Sequence, residues 1–349
     1  MDIDNFSESD ILKISLNNPE VLFSGNEIEI KKSYRKLSLS WHPDKNKGLE
    51  SSSVFSHIHN LYISALDKLN KGTLGTNKKV LEIKDIEGKL FNFKFLKQKS
   101  FEMGQYYIGN NIIAWEFNND YIHEVKKGLT NLNNLKFLDN KMELAFKQYI
   151  PVIYKIVECD DKFYVLMKKP KDFINLGDIF SHLNNKLDPK HVAWIISNLY
   201  NQLCFIHSNG LMFGGINMDN YYINPETHEG MLVGGWWYSC KEKEKLSMLS
   251  TSAIDVAPVS LLNNKKSQLL LDLEMVKLLG RELLGDKTGN YLKSNLSIPE
   301  DFSQWFRVGS KEGVISEYSR WNNEVLVKSF GKRRFFEMNI NSKDIYREV

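Results

Sequence analysis

His42, Pro43 and Asp44 stand side by side, directly after a segment that carries Lys31, Lys32, Arg35 and Lys36. Pro43 has no amide hydrogen and biases His42 toward extended geometry, so a helix must stop there. An imidazole and a carboxylate are then left in a stiff corner, where they could engage another protein. The basic residues form the i, i+4 pairs Lys31/Arg35 and Lys32/Lys36. Each like-charge pair weakens an isolated helix by roughly 0.2–0.5 kcal/mol. Between Glu27 and Lys47 six basic residues face three acidic ones, a net +3 that equals the formal charge of the whole chain. Such a surface suits an acidic partner and speeds encounter more than it deepens affinity.

The elements that hold this corner are legible as two amphipathic helices. Ile30, Tyr34, Leu37 and Trp41 fall on one helical stripe, with Asn26 as the expected N-cap and Glu27 and Glu29 in the first turn. Val54, Ile58, Leu61 and Ala65 form a second stripe, which Phe55, Tyr62, Leu66 and Leu69 broaden. The two helices should pack antiparallel across the connection of residues 43–53. A basic helix, the tripeptide and a helix that packs back resemble the J domain of DnaJ-family co-chaperones over roughly the first 70 residues. The loop of residues 16–26 is longer than is usual in that family. The resemblance implies that His42, Pro43 and Asp44, with Lys31, Lys32, Arg35 and Lys36, contact a DnaK-type chaperone and trigger its ATP hydrolysis. No Gly/Phe-rich stretch and no CxxCxGxG repeat follows, so a different, specialising module is expected behind the J domain.

Small and polar residues at positions 70–79 mark the break. Beyond it, Phe91, Phe93 and Phe95 alternate with Leu90, Asn92 and Lys94, the period of a strand. Strands are also predicted at residues 105–109 and 111–117, turning at Gly109, and at 152–158 and 160–168; a long helix is predicted from Pro189 to His207. The segment 187–237 resembles a protein kinase: a helix ending in His-Ser-Asn-Gly, a catalytic loop, a hairpin and a metal-binding tripeptide. The resemblance puts Gly215 where the proton-accepting Asp belongs, Asn217 at the loop lysine and Gly234 at the metal carboxylate. Asn220 alone keeps the family identity, as the loop Asn that can help hold magnesium. Glu116 is expected at the nucleotide-pairing lysine, where it would repel phosphate, and only Gly104 stands near the glycine-rich loop. Phosphoryl transfer rests on positioned charge, so catalysis is rejected. Asp219 is read as a turn or capping carboxylate. Trp236 and Trp237 fit either a filled nucleotide cleft or ordinary core.

The expected fold class is therefore a multidomain α+β protein. It comprises a J domain at 1–70, a linker at 71–79, and a bilobal kinase-like fold with a β-rich lobe at 80–170 and an α-rich lobe at 171–349. At 349 residues two or three domains are natural. Three scattered cysteines fit neither a disulfide framework nor a metal site. No catalytic residue, metal or cofactor is expected. The acidic start and the lack of a long apolar run imply a cytoplasmic protein off the membrane. Lys332, Arg333 and Arg334 are read as a solvated helix face, so no nucleic-acid partner is expected. The expected partners are the chaperone and an unnamed client; the alternative is a degenerate nucleotide-binding or phosphotransferase enzyme.

Overall fold

The computed structural model describes residues 6–16, 18–25, 27–42, 51–70, 74 and 80–346. The chain divides after Val80 into two compact units.

In the first unit, helix α1 (Glu8–Leu12) opens with a capping box in which Ser7 and Asp10 exchange hydrogen bonds. Helices α2 (Glu27–Ser40) and α3 (Ser51–Asn70) follow. The expected N-cap Asn26, the tripeptide members Pro43 and Asp44, and residues 71–73 and 75–79 of the expected linker lie outside the described residues. Both stripes are buried: Ile30 and Leu37 on α2, and Val54, Ile58, Leu61 and Ala65 on α3. Ile11, Ile14, Leu22 and Phe23 complete this core. The segment after α1 is irregular yet fixed, because α3 holds its carbonyls and charges. A ring nitrogen of His57 bonds the carbonyl of Ile14 at 2.8 Å, Ser64 Oγ donates to that of Leu16 at 2.7 Å, and Lys68 pairs with Glu20 at 3.4 Å.

Strand β1 (Val80–Lys84) starts at the boundary and pairs with β2 (Leu90–Lys94) in a two-stranded sheet that opens the second unit. Strands β3 (Lys97–Phe101), β4 (Gly104–Ile108) and β5 (Ile112–Asn118) are followed by α4 (Ile122–Asn133) and α5 (Asn140–Phe146). Then come β6 (Val152–Glu158) and β7 (Lys162–Lys168). These five strands pair antiparallel in the order β3-β4-β5-β7-β6. Because successive side chains on a strand face opposite ways, the sheet builds two cores. Tyr106, Trp115, Phe117 and Val165 face one side with Val125 and Leu129 of α4. Tyr107, Ala114, Tyr164 and Leu166 face the other, under Ile83, Phe91 and Phe93.

Strand β8 (Ile174–Asn175) and α6 (Leu176–His182) lead into α7 (Pro189–Ser208), which Asp188 caps by accepting from Lys190 N at 2.8 Å. Short strands β9 (Leu211–Met212), β10 (Tyr221–Asn224), β11 (Glu229–Leu232) and β12 (Cys240–Lys241) follow. Strand β10 lies between β8 and β11, and β9 pairs with β12. The remainder is helical: α8 (Thr251–Val256), α9 (Val259–Asn264), α10 (Leu270–Leu283), α11 (Glu300–Arg307) and α12 (Val314–Arg320). A π-helical turn (Trp321–Val325), α13 (Leu326–Phe330) and α14 (Ser342–Ile345) end it. The expected helix face at Lys332, Arg333 and Arg334 does not form. Gly331 stops α13 at φ +69°, and residues 332–341 continue without regular structure.

Cys159, Cys204 and Cys240 are free thiols, each held above the ordinary thiol pKa chiefly by burial, Cys204 at about 11. Among the described residues no helix is long and apolar enough to cross a membrane.

Leu37 is 1% exposed, so Leu37→Ala should destabilise the first unit by about 2–5 kcal/mol. Hydrogen exchange at the amides of α2 and α3 in the full-length protein would report it as faster opening there.

Candidate functional site

Two places carry the residues singled out by the sequence, one in each unit. In the first, α2 presents Lys31, Lys32, Arg35 and Lys36 to solvent, opposite Ile30 and Leu37. Lys31 pairs with Glu27 one turn earlier at 2.6 Å, and that bond raises the pKa of its ammonium above the usual value. This favourable pair offsets part of the like-charge strain along the face. Tyr34 fastens α2 to α3: its ring stacks on Tyr62 with centroids 4.0 Å apart, and its hydroxyl meets His59 Nδ1 at 2.9 Å. Trp41 N closes the last turn on Leu37 O at 2.9 Å. His42 comes next, exposed, its ring meeting Phe55 of α3 edge-on at 5.6 Å and 73°. The imidazole is thus set against α3 while exposed to solvent.

The first unit thus joins a basic, exposed helix face to a second helix that packs back on it. Residues 12–68 match the model of the DnaJ domain family. This part of the chain is a DnaJ domain, the kind of module by which co-chaperones bind DnaK-type chaperones. No curated protein matches the chain.

In the second unit, one buried carboxylate organises the loop after α7. Asp272 of α10 accepts from Phe213 N and Gly214 N, each at 2.7 Å, and meets His207 Nε2 at 3.0 Å. Asn220 then ties this loop to the end of the β10–β11 hairpin. Its side chain donates to Gly215 O at 2.8 Å, and its carbonyl accepts from Val233 N and Gly234 N. Asn217 is used locally, accepting from Asn220 N at 2.9 Å. The loops touch backbone to backbone: a Cβ on Gly215 would lie 2.6 Å from Gly235 O. A Cβ on Gly234 would lie 2.4 Å from both the Trp115 ring and Asn220 Oδ1. No carboxylate side chain fits at either position without displacing its neighbours.

Aromatic rings fill the adjoining space. Trp115 stacks on Tyr106 at 4.4 Å and meets Trp237 at 4.8 Å, while Trp237 also packs on Phe101 and Phe117. Trp236 donates its indole N–H to Leu232 O and packs on Phe213. Glu116, expected where a lysine would pair phosphates, takes tyrosine partners. Strand alternation turns Glu116 to the opposite sheet face, where Tyr164 donates to it at 2.6 Å and Tyr107 at 3.3 Å. Burial, then this carboxylate, pushes Tyr107 up to about 12. Trp115, one residue earlier, takes the inner face.

Asp219 lies in the turn that leads into β10, and its carboxylate is also bound from the sheet. Lys99 Nζ lies 2.5 Å from it, and Tyr106 donates to it at 2.8 Å. Lys99 also reaches Asn175 and Asp178, and Asp178 is met by Lys97 and by the Tyr346 hydroxyl, each at 2.8 Å. The sequence reading passed over Lys97, Lys99, Asp178 and Asp272. Two lysines two residues apart on a strand share a face, and that spacing was the available signal. Beside this network lies an opening of about 400 Å³, lined by Lys99, Asp219, Glu102, Glu282 and neighbours. Among the described residues no cluster of His, Cys, Asp or Glu could hold a metal ion.

Asp272→Ala would leave two buried amides without an acceptor, and should destabilise the second unit by about 3 kcal/mol in urea unfolding. Gly234→Asp should lower the melting temperature and create no magnesium-dependent stabilisation.

Proposed function

We propose that this protein is a co-chaperone that stimulates the ATPase of a DnaK-type chaperone through its J domain. Lys31, Lys32, Arg35 and Lys36 would steer the encounter, and the His42-Pro43-Asp44 corner would trigger hydrolysis. The observation that carries this reading is the DnaJ-domain match at residues 12–68, on a helix whose four cations and terminal His42 are all exposed. In this reading residues 1–70 are the J domain and 71–79 the linker. The remainder is a kinase-like domain, with a β-rich lobe to about residue 170 and an α-rich lobe beyond. It binds a client or partner and does no phosphoryl transfer.

The kinase-like part of the proposal is supported by a five-strand order with helices inserted before the last two strands. It is supported also by a loop held under α7 by Asp272. Loss of catalysis is supported by sterics: the positions that would need carboxylates are pressed against backbone and indole.

In a single-turnover assay with a DnaK-type chaperone, the wild type should accelerate ATP hydrolysis and His42→Gln should abolish the acceleration while α2 and α3 stay folded by circular dichroism. Equal acceleration by both would refute the role of the tripeptide. Lys32→Glu combined with Arg35→Glu should weaken the apparent affinity, most at low salt. A nucleotide at ~100 times its Kd stabilises its binder by about 2.7 kcal/mol; Mg-ATP should give no such thermal shift here.

A further inference from the structure

The segment beyond Gly331 closes a cavity of about 550 Å³ against α7 and the π-helical turn. Its charged lining residues are Lys190, Lys332, Arg333 and Arg334; none of its lining residues is acidic. The basic residues are all exposed. Rings arranged as a pile stand beside them. His228, at the tip of the β10–β11 hairpin, stacks on Trp194 of α7 at 4.3 Å and 7°. It also stacks on Phe335 at 4.1 Å and 19°. Two nearly parallel rings at such distances must lie on its two faces. Asn198 holds the pile in place by donating to the His228 carbonyl. Phe335 ends the pile and is 62% exposed, so its outer face is open. Phe336 turns inward instead, against His191 at 4.8 Å with Lys190 Nζ over its ring at 4.6 Å.

We propose that this cavity and the cationic strap above it bind single-stranded nucleic acid, with a base stacked on the outer face of Phe335 and phosphates held by Lys332, Arg333, Arg334 and Lys190. A positive groove beside an aromatic platform is the arrangement that binds single strands without reading their sequence. An acidic peptide would satisfy the cations but leave the open ring face idle. The pile is preassembled by Trp194 and His228, so little ordering is needed when a base adds to it. The strap is extended, not helical, which lets three consecutive cations and two rings reach the same cavity.

The test is fluorescence anisotropy of the full-length protein with labelled single-stranded oligodeoxythymidine. Binding should appear at low salt, and its logarithm should fall linearly with the logarithm of salt concentration. Arg333→Glu combined with Arg334→Glu should weaken it at least tenfold and flatten the salt dependence by about 0.7 per lost phosphate contact. Phe335→Ala and Phe335→Leu should each weaken it by about tenfold with the salt slope unchanged, while Phe335→Tyr should bind as the wild type does. The leucine variant keeps apolar volume at the strap, so its loss marks stacking and not folding. The proposal is overturned by no binding at low salt, by a duplex or polyglutamate competing as well as the single strand, or by unchanged affinity in Phe335→Leu.

Discussion

The backbones of Gly215 and Gly235 run so close together that a single added carbon on Gly215 would sit 2.6 Å from the opposite carbonyl oxygen. Much of the second unit's centre follows from that approach. The loop after α7 must be held down, which Asp272 does by taking two of its amides. The end of the β10–β11 hairpin must meet it, which Asn220 does by bonding to both sides. Trp115 can then lie across Gly234 and join Trp237. The adjoining space is filled with rings, and burying rings of this size stabilises the unit strongly.

The first unit works by the opposite logic, with its chemistry kept outside. Its buried residues form one stripe per helix, so everything else on α2 is free to carry charge. Tyr34 and Tyr62 lock the two helices face to face, and the Phe55 ring steadies His42. The irregular stretch between α1 and α2 is tethered to α3 by His57, Ser64 and Lys68. A small domain with limited core depends on such tethers.

Much of this could be read from the chain. The stripes Ile30/Leu37 and Val54/Ile58/Leu61/Ala65 gave the helical hairpin because periodicity survives packing. The strand holding Phe91 and Phe93 followed from alternation, and those holding Tyr106, Tyr107 and Ile113 from the turn at Gly109 between them. Alternation also sets the limit. Trp115 and Glu116 lie on opposite faces, and on a strand one residue is the whole difference between them. The partnership of Lys99 with Asp178 and Asp219 spans some eighty residues or more of sequence, and no local pattern encodes a contact that distant. The role of residues 332–336 depended on whether Gly331 ends a helix, which its neighbours do not decide.

Lys97 and Lys99 belong to the edge strand β3, yet their charges are spent on Asp178 at the start of α6 and on Asp219 beyond α7. The sheet and the helical portion of the second unit are thereby joined by ion pairs. Each of these pairs joins residues that are distant in the chain, so the edge strand is held by charge as well as by its single neighbouring strand.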